Sequence, residues 1–143
     1  MKEYQSLSDT RWDCKYHVVF IPKRRKKAVF GVLRKELGGV FRALAQQRES
    51  AVVEGHLMVD HVHMCLSIPP KYSVSSVVGY IKGKIAITIA RHFGGRQRNF
   101  TGEVFWARGY FVSTVGLEEE LVRAYIRNQE QEDERYDQMK LGL

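Results

Sequence analysis

Residues 61–68, HVHMCLSI, alternate between two kinds of side chain, and this alternation constrains the fold more than any other feature of the sequence. A period of two is typical of a β-strand, because successive side chains point to opposite faces of a sheet. One predicted face is apolar (Val62, Met64, Leu66, Ile68) and the other carries His61, His63, Cys65 and Ser67. We therefore expect a strand whose apolar face packs under helices while both histidines lie on the opposite, open face.

Hydrophobic spacing predicts further elements on both sides of this strand. Strands are predicted at 14–22, 51–59 and 104–115, an exposed basic turn at 23–27, and helices over 30–47, 74–93 and 117–139. The order β-α-β-β-α-β followed by an extra helix predicts an α+β fold of the ferredoxin-like (RRM-like) type. In that fold an antiparallel sheet carries two helices on one face.

The chain as a whole has the composition of one globular domain spanning residues 1–143. Hydrophobic residues make up 44% and charged residues 27%, and no linker-like stretch divides the sequence. Cys14 and Cys65 stand outside any CxxC pattern, which favours reduced thiols over a disulfide framework. With neither a signal-like start nor an apolar run near the length of a membrane span, we expect a soluble, cytoplasmic protein without a membrane partner.

Charge is unevenly distributed along the chain. The first 117 residues carry 19 Lys and Arg against 8 Asp and Glu, whereas the last 26 residues carry 4 against 8, for a net charge of +7. A basic body with an acidic C-terminal segment suggests a polyanionic partner, most simply nucleic acid. The alternative is a basic surface that serves only solubility.

The spacing of His61 and His63 suits a shared metal ion. Residues two apart in a strand are separated by roughly 6.6 Å, so both rings could lean toward one ion, whereas Cys65 lies roughly 13 Å from His61. That distance argues against a His-His-Cys zinc site, and a third ligand must come from elsewhere. Glu54, His56 and Met58 share the histidine face if the preceding turn is tight, where Glu54 or His56 could orient an imidazole. The alternative is two polar residues on a solvated face.

The final predicted helix places Tyr125 and Gln129 four residues apart, hence on one face. A tyrosine oxygen can attack phosphorus and hold the phosphoryl group covalently. Because a phenol ionises only near about pH 10 in water, it needs a nearby metal ion or positive field to ionise at neutral pH. The alternative is a tyrosine at the edge of an apolar stripe beside a solvated glutamine.

Three other tyrosines are weaker candidates: Tyr136 lacks a glutamine one turn on, Tyr110 lies in an apolar strand, and Tyr80 faces the polar side of the second helix.

Together these residues resemble a known pattern. Two histidines flanking a hydrophobic residue on a strand, with Tyr125 and Gln129 on a following helix, look like the HUH endonucleases. With one tyrosine and a short chain, the sequence is similar to the single-tyrosine transposases of the smallest bacterial insertion sequences. The segments that carry the likeness are YHVVFIPKRRKK, EGHLMVDHVHM, IPPKYSVSSVVGYIKGK, FWARGYFVSTVG and AYIRNQEQED. Close relatives usually have proline where this chain has Val59, which implies a different turn rigidity and alters no ligand.

The resemblance implies an enzyme that cleaves and rejoins single-stranded DNA. His61, His63 and Gln129 would bind Mg²⁺ or Mn²⁺, and Tyr125 would form a 5′-phosphotyrosine intermediate. No nucleotide cofactor is implied. The DNA partner would carry hairpins at the element's ends, which implies a protein associated with the bacterial nucleoid. Such proteins are homodimers in which the tyrosine helix can complete the partner's site, and Gly116 is a candidate hinge because glycine tolerates unusual dihedrals.

Candidate phosphate contacts come from two basic segments, each of which could instead be a solvated charge run. They are Lys23, Arg24, Arg25, Lys26 and Lys27 in the first, and Arg96 and Arg98 in the second.

Three other functions stay open at this point. They are a non-catalytic single-stranded nucleic-acid binder, an HUH nuclease of plasmid or phage replication, and a domesticated relative that cuts dispersed palindromes. The binder would need stacking aromatic residues on the open face, and no such signature is found near 61–68.

Overall fold

The computed structural model of the chain describes residues 5–7, 10–92 and 105–140. The strands are β1 (Gln5–Leu7), β2 (Thr10–Trp12), β3 (Lys15–Phe20), β4 (Ala51–Leu57), β5 (Val62–Ser67) and β6 (Phe111–Thr114). The α-helices are α1 (Lys27–Gln46), α2 (Val74–His92) and α3 (Glu119–Lys140), and short 3-10 helices at Arg24–Lys26 and Gly116–Glu118 precede α1 and α3.

The main sheet has four antiparallel strands in the order β4-β5-β3-β6. The two central strands are therefore the one that carries His63 and the one that begins the β-α-β-β-α-β unit. This is the ferredoxin-like order, and the predicted α+β fold with its additional C-terminal helix is confirmed. A separate two-stranded hairpin, β1–β2, lies outside this unit and was not predicted.

The apolar face of β5 packs into the main core, as its alternation predicts. Val62, Met64, Leu66 and Ile68 are all buried there, with Val18 and Phe20 of β3 beside them. Helices α1 and α2 supply the opposing layer, through residues such as Phe30, Leu37, Phe41, Val77, Ile81 and Ile85. Each such side chain contributes about 1.5–3 kcal/mol of transfer free energy, so this layer anchors the strand that positions the histidines.

The opposite face of the sheet is covered, which corrects the prediction of an open face. Helix α3 lies across it, where Ile126 is buried with Cys65 and Val115, and Val53 and Val122 pack at the edge. Every residue of β5 is consequently buried on both sides of the sheet. The sequence pattern could not reveal this because α3 is rich in charge and covers the face with few apolar residues.

The predicted strand at 104–115 is wrong over most of its length, since β6 comprises only Phe111–Thr114. Before it, Trp106 is buried in the core and forms an isolated bridge with Pro22. The Lys82 Nζ donates hydrogen bonds to the carbonyl oxygens of Ala107 and Gly109 at 3.2 and 3.0 Å. Gly109 has a φ of +76°, so the chain turns there and the aromatic run divides between the core and an edge strand.

The remaining differences are local. The basic segment 23–27 forms the 3-10 helix Arg24–Lys26 and the first residue of α1 rather than an open turn. The β4–β5 connection spans residues 58–61, longer than predicted, so His61 lies at its end and β5 begins at Val62. Arg96 and Arg98 lie outside the described residues. Within the described parts of the chain, no helix is long and apolar enough to cross a lipid bilayer.

Candidate active site

The two histidines of the HVH run lie close together at the start of β5. Their ring centroids are 5.3 Å apart. His61 is partly exposed, and its Nδ1 lies 2.8 Å from Asp60 Oδ1. A carboxylate at Nδ1 orients the ring and leaves Nε2 as the nitrogen that faces a ligand. The local sequence DHVH thus supplies both an imidazole and the group that orients it.

His63 is a buried, neutral imidazole. It is 1% exposed, and its Nε2 is buried without a hydrogen-bond partner among the described residues. Burial, and to a lesser degree the neighbouring His61, His17 and His56, lowers the pKa of His63 to about 3. A buried polar atom without a partner costs about 1–3 kcal/mol, and a ligand bound at this nitrogen would remove that cost.

Tyr125 reaches this imidazole from α3 of the same chain. Its ring centroid lies 5.8 Å from that of His63, with the rings nearly perpendicular at 83°. Tyr125 is 52% exposed, so one side of its ring is open to solvent while the other lies against His63. Gln129 follows one turn later and is half-buried. The helix thus brings the tyrosine of the HUH-like pattern to the histidine pair.

His17 is a member of this cluster that the sequence reasoning missed. Its ring centroid lies 6.1 Å from each of His63, Tyr125 and Phe111. Its Nε2 is also buried without a hydrogen-bond partner among the described residues, and burial lowers its pKa. The signal was the alternation in KYHVVF, which places His17 opposite Cys65 and hence on the histidine face once β3 and β5 pair.

His56 and Glu54 of β4 lie on the histidine face, where the sequence predicted them, although the β4–β5 connection is longer than expected. His56 pairs with His63 and Glu54 with Cys65 across the strands. The His56 Nε2, however, lies 3.1 Å from Asp133 Oδ2 on α3, and Glu54 Oε1 lies 3.4 Å from Arg123 Nε. These side chains therefore connect the sheet to the tyrosine helix. Met58, also predicted on this face, lies in the turn, where its backbone N–H donates to the His61 carbonyl oxygen at 2.8 Å.

Cysteine is not part of the site. Cys65 is fully buried in the small apolar cluster under α3, and burial raises the pKa of its thiol to about 11. In the parts of the chain that the structure describes, no group of three or more His, Cys, Asp or Glu is arranged to hold a metal ion.

Tyr80 and Tyr110, the two other candidates whose side chains the structure describes, do not reach the histidines. Tyr110 packs against the main core on the far side of the sheet, and Tyr80 donates a hydrogen bond to Gln47 beneath the guanidinium of Arg48. The side chain of Tyr136 lies outside the described residues.

The basic segment 23–27 lies at the same end of the sheet as His61. It follows β3, whose last residue, Phe20, pairs with Val62 at the start of β5. The first turns of α1 also pass the β4–β5 connection, since a Cβ added at Gly31 would lie 3.5 Å from the Val59 carbonyl oxygen. The strongest cluster of positive charge in the sequence therefore borders the histidine end of the site.

His63 lies on a central strand of a ferredoxin-like sheet, His61 directly precedes that strand, and the following helix holds Tyr125 against His63. These features point to the HUH tyrosine transposases. The profile of the family described as "Transposase IS200 like" matches residues 10–129. The chain belongs to this family.

Individual relatives agree with this assignment. The chain is 40% identical over 141 residues to the transposase for insertion sequence element IS200 of Salmonella typhimurium, covering 99% of this chain and 93% of that protein. It is 27% identical over 116 residues to the ISDra2 transposase TnpA of Deinococcus radiodurans, covering 81% of each.

Two solved structures share the fold. A crystal structure of a transposase candidate from Deinococcus radiodurans R1 has a TM-score of 0.66 at 24% identity, covering 87% of this chain and 97% of that one. A REP-associated tyrosine transposase bound to a REP hairpin has a TM-score of 0.56 at 13% identity, covering 88% and 68%.

Proposed function

We propose that this protein is a divalent-metal-dependent transposase that cleaves and rejoins single-stranded DNA at the ends of a small insertion sequence. Tyr125 is the nucleophile, and His61, His63 and Gln129 are the metal ligands. Family membership implies DNA cleavage and strand transfer. The observation that carries the assignment of residues is the contact between Tyr125 on α3 and His63 on β5, elements far apart in the sequence.

The residues fit a divalent ion. His63 presents a neutral, buried nitrogen that has no partner among the described residues, and His61 is oriented by Asp60 with Nε2 available. Gln129 would add an amide oxygen, and a neutral N/O set of this kind suits Mn²⁺ or Mg²⁺. When bound, such an ion supplies Lewis-acid stabilisation of charge on the scissile phosphate.

The covalent step uses the chain's own tyrosine. The Tyr125 phenolate attacks the scissile phosphorus, a bond forms between its oxygen and phosphorus, and the bond to the 3′-oxygen breaks. The phenol proton is lost before or during attack, and the departing 3′-oxygen takes up a proton. The resulting 5′-phosphotyrosine retains the energy of the phosphodiester, so a second 3′-hydroxyl can reverse the step and join strands. His17, in contact with Tyr125 and His63, helps to fix the ring for attack.

We propose that the substrate is single-stranded DNA folded into hairpins near the element's ends. A structural relative was solved with a REP hairpin, which supports this substrate class. The side chains of Lys23, Arg24, Lys26 and Lys27 border the histidine end of the site and would contact phosphates, with Arg25 in the same run and Arg96 and Arg98 as further candidates. Because this substrate is chromosomal DNA, we place the protein in the cytoplasm, associated with the nucleoid.

We further propose that residues 1–143 act as one domain within a homodimer. Strand β6 pairs on one side only, with β3, within the described residues, and it exposes Phe111 (57%) and Val112 (40%). An apolar, unpaired strand edge favours pairing with another chain. Gly116 between β6 and α3 has a φ of +53°, so the connection to the tyrosine helix uses a conformation that favours glycine. Tyr125 lies beside His63 of its own chain, and exchange of the helix would bring it to the partner's histidines instead.

The test is covalent trapping. The protein is mixed with single-stranded hairpin DNA from the flanks of its own gene and Mn²⁺ or Mg²⁺, and a denaturing gel is used to detect a protein–DNA adduct. We expect an adduct with the wild-type protein, and none with Tyr125→Phe, with His61→Ala or with EDTA. Tyr80→Phe, which removes a hydroxyl on the other face of the sheet, is the matched control and should keep the adduct.

Tight hairpin binding without an adduct under either metal would contradict the proposal and identify a non-catalytic binder or an inactive relative. An adduct that persists in Tyr125→Phe would move the nucleophile to another side chain.

A further inference from the structure

We propose that Asp133 is a positioning residue for the nucleophile. Its buried contacts with His56 and Arg34 hold α3 against the sheet, so that Tyr125 lies beside His63. This inference rests on the proposed role of Tyr125 and identifies the Asp133 carboxylate as the group that fixes the position of Tyr125.

Helix α3 has little apolar contact to hold it. Of its described side chains, only Ile126 and Asp133 are buried. They are seven residues apart, so they lie on the same face of the helix. The larger apolar side chains at its start point outward, since Leu117 is 98% and Leu121 72% exposed. A helix attached through one small apolar cluster needs a further attachment to keep a fixed orientation.

Asp133 provides that attachment to two other elements. Its side chain is 4% exposed, and Oδ2 lies 3.1 Å from His56 Nε2 on β4 and 3.5 Å from Arg34 Nη2 on α1. The Arg34 Nη1 also donates to the Gly31 carbonyl oxygen at 2.6 Å, which ties the guanidinium to its own helix. Because His56 pairs with His63 across the strands, Asp133 is linked to the histidine cluster through one side chain.

The position of Asp133 along α3 matters as much as its burial. On the N-terminal side, Arg123 contacts Glu54 and Glu119 contacts Lys15. Asp133 lies roughly 12 Å beyond Tyr125 along the helix axis. Tyr125 and Gln129 therefore lie between two attachments, and loss of the distal one leaves that part of the helix free to rotate or lift.

A cavity beside Asp133 makes a selective test possible. It has a volume of about 370 Å³ between α1, β4 and α3, and Arg34, His56 and Asp133 are among its lining residues. Dense apolar packing does not hold the helix here, so the charged contacts do. The same space can accept one additional methylene, which allows Asp133→Glu to preserve the carboxylate.

The experiment measures the rate of adduct formation at saturating hairpin DNA, together with hairpin affinity. Since a misplacement of about 1 Å can cost about a hundredfold in rate, Asp133→Asn should react about ten- to a hundredfold more slowly, with hairpin affinity unchanged. Asp133→Glu should recover most of the rate. Arg34→Gln, which breaks the contact from α1 and lies away from the nucleophile, should repeat the defect. Glu132→Gln, an exposed position on the same helix, is the matched control and should match the wild-type protein.

Hydrogen exchange read by mass spectrometry separates this inference from the proposed function. We expect amides of α3 to exchange faster in Asp133→Asn and Arg34→Gln, while amides of β5 keep their protection. If the wild-type protein forms no adduct but α3 loosens in these variants, the proposed function fails and Asp133 still anchors the helix. If the wild-type protein reacts and both variants match Glu132→Gln in rate, or if Asp133→Glu is as slow as Asp133→Asn, the positioning role is refuted.

Discussion

Lowering the pH from about 7 to about 5 should destabilise the metal-free protein by about 2 kcal/mol through His63 alone. The imidazole is 1% exposed, and burial lowers its pKa to about 3. In the unfolded chain the same group titrates near its ordinary value of 6.5. Below pH 6.5 the unfolded state binds a proton that the folded state does not. The free energy of unfolding therefore falls as the pH is lowered, until the pH reaches the pKa of the folded state.

The magnitude follows from the pKa difference. Each pH unit within this window changes the free energy of unfolding by about 1.4 kcal/mol per proton. Between the unfolded pKa and about pH 5 lie about 1.5 units, which gives about 2 kcal/mol. His17 adds in the same direction, since burial also lowers its pKa.

Urea denaturation in EDTA at the two pH values measures this effect, and His63→Leu isolates it. Leucine fills a similar volume and binds no proton, so the variant should lose about 2 kcal/mol less than the wild-type protein over the same interval. Equal losses in the two proteins would refute the reasoning, because His63 would then titrate alike in the folded and unfolded states.

Two further predictions concern the faces that α3 and β6 present. Ile126→Ala should lower the free energy of unfolding by about 2–4 kcal/mol, because it empties the small cluster over Cys65, whereas the partly exposed Ile87→Ala should cost less than about 1 kcal/mol. Equal urea midpoints for these two variants would show that the packing of Ile126 does not hold α3 on the sheet. Phe111→Lys should raise the dimer dissociation constant at least about thirtyfold in sedimentation experiments if β6 forms the interface, and an unchanged dimer would place the interface elsewhere.

The fold could be predicted because its strongest signals are local and periodic. The alternation of 61–68 identifies a strand with two distinct faces, and the spacing from Phe30 to Ala45 identifies a helix that packs on one of them. The order of elements then selects the ferredoxin-like sheet. Tyr125 and Gln129 were singled out by their spacing of four residues together with the resemblance to the HUH pattern, and their roles stay predictions.

What escaped prediction depends on contacts between distant parts of the chain. His17 becomes part of the site only when β3 pairs with β5, and a single strand gives no register. The aromatic run 104–115 has high strand propensity, yet Trp106 gains more by filling the core, where its Nε1 donates to the Lys82 carbonyl oxygen at 2.8 Å. Tertiary packing overrides propensity at such positions.

The acidic composition of α3 has a structural reason that the sequence alone left open. An acidic segment beside a DNA site should repel the substrate, yet Glu119 and Asp133 face Lys15 and Arg34 of the basic body. Those carboxylates therefore hold the helix to its own chain. The basic segment 23–27 lies at the histidine end of the sheet and supplies the phosphate contacts in the proposed function. The separation of charge along the sequence thus has two structural counterparts: two carboxylates of α3 pair with the basic body, and the basic segment lies at the histidine end of the sheet.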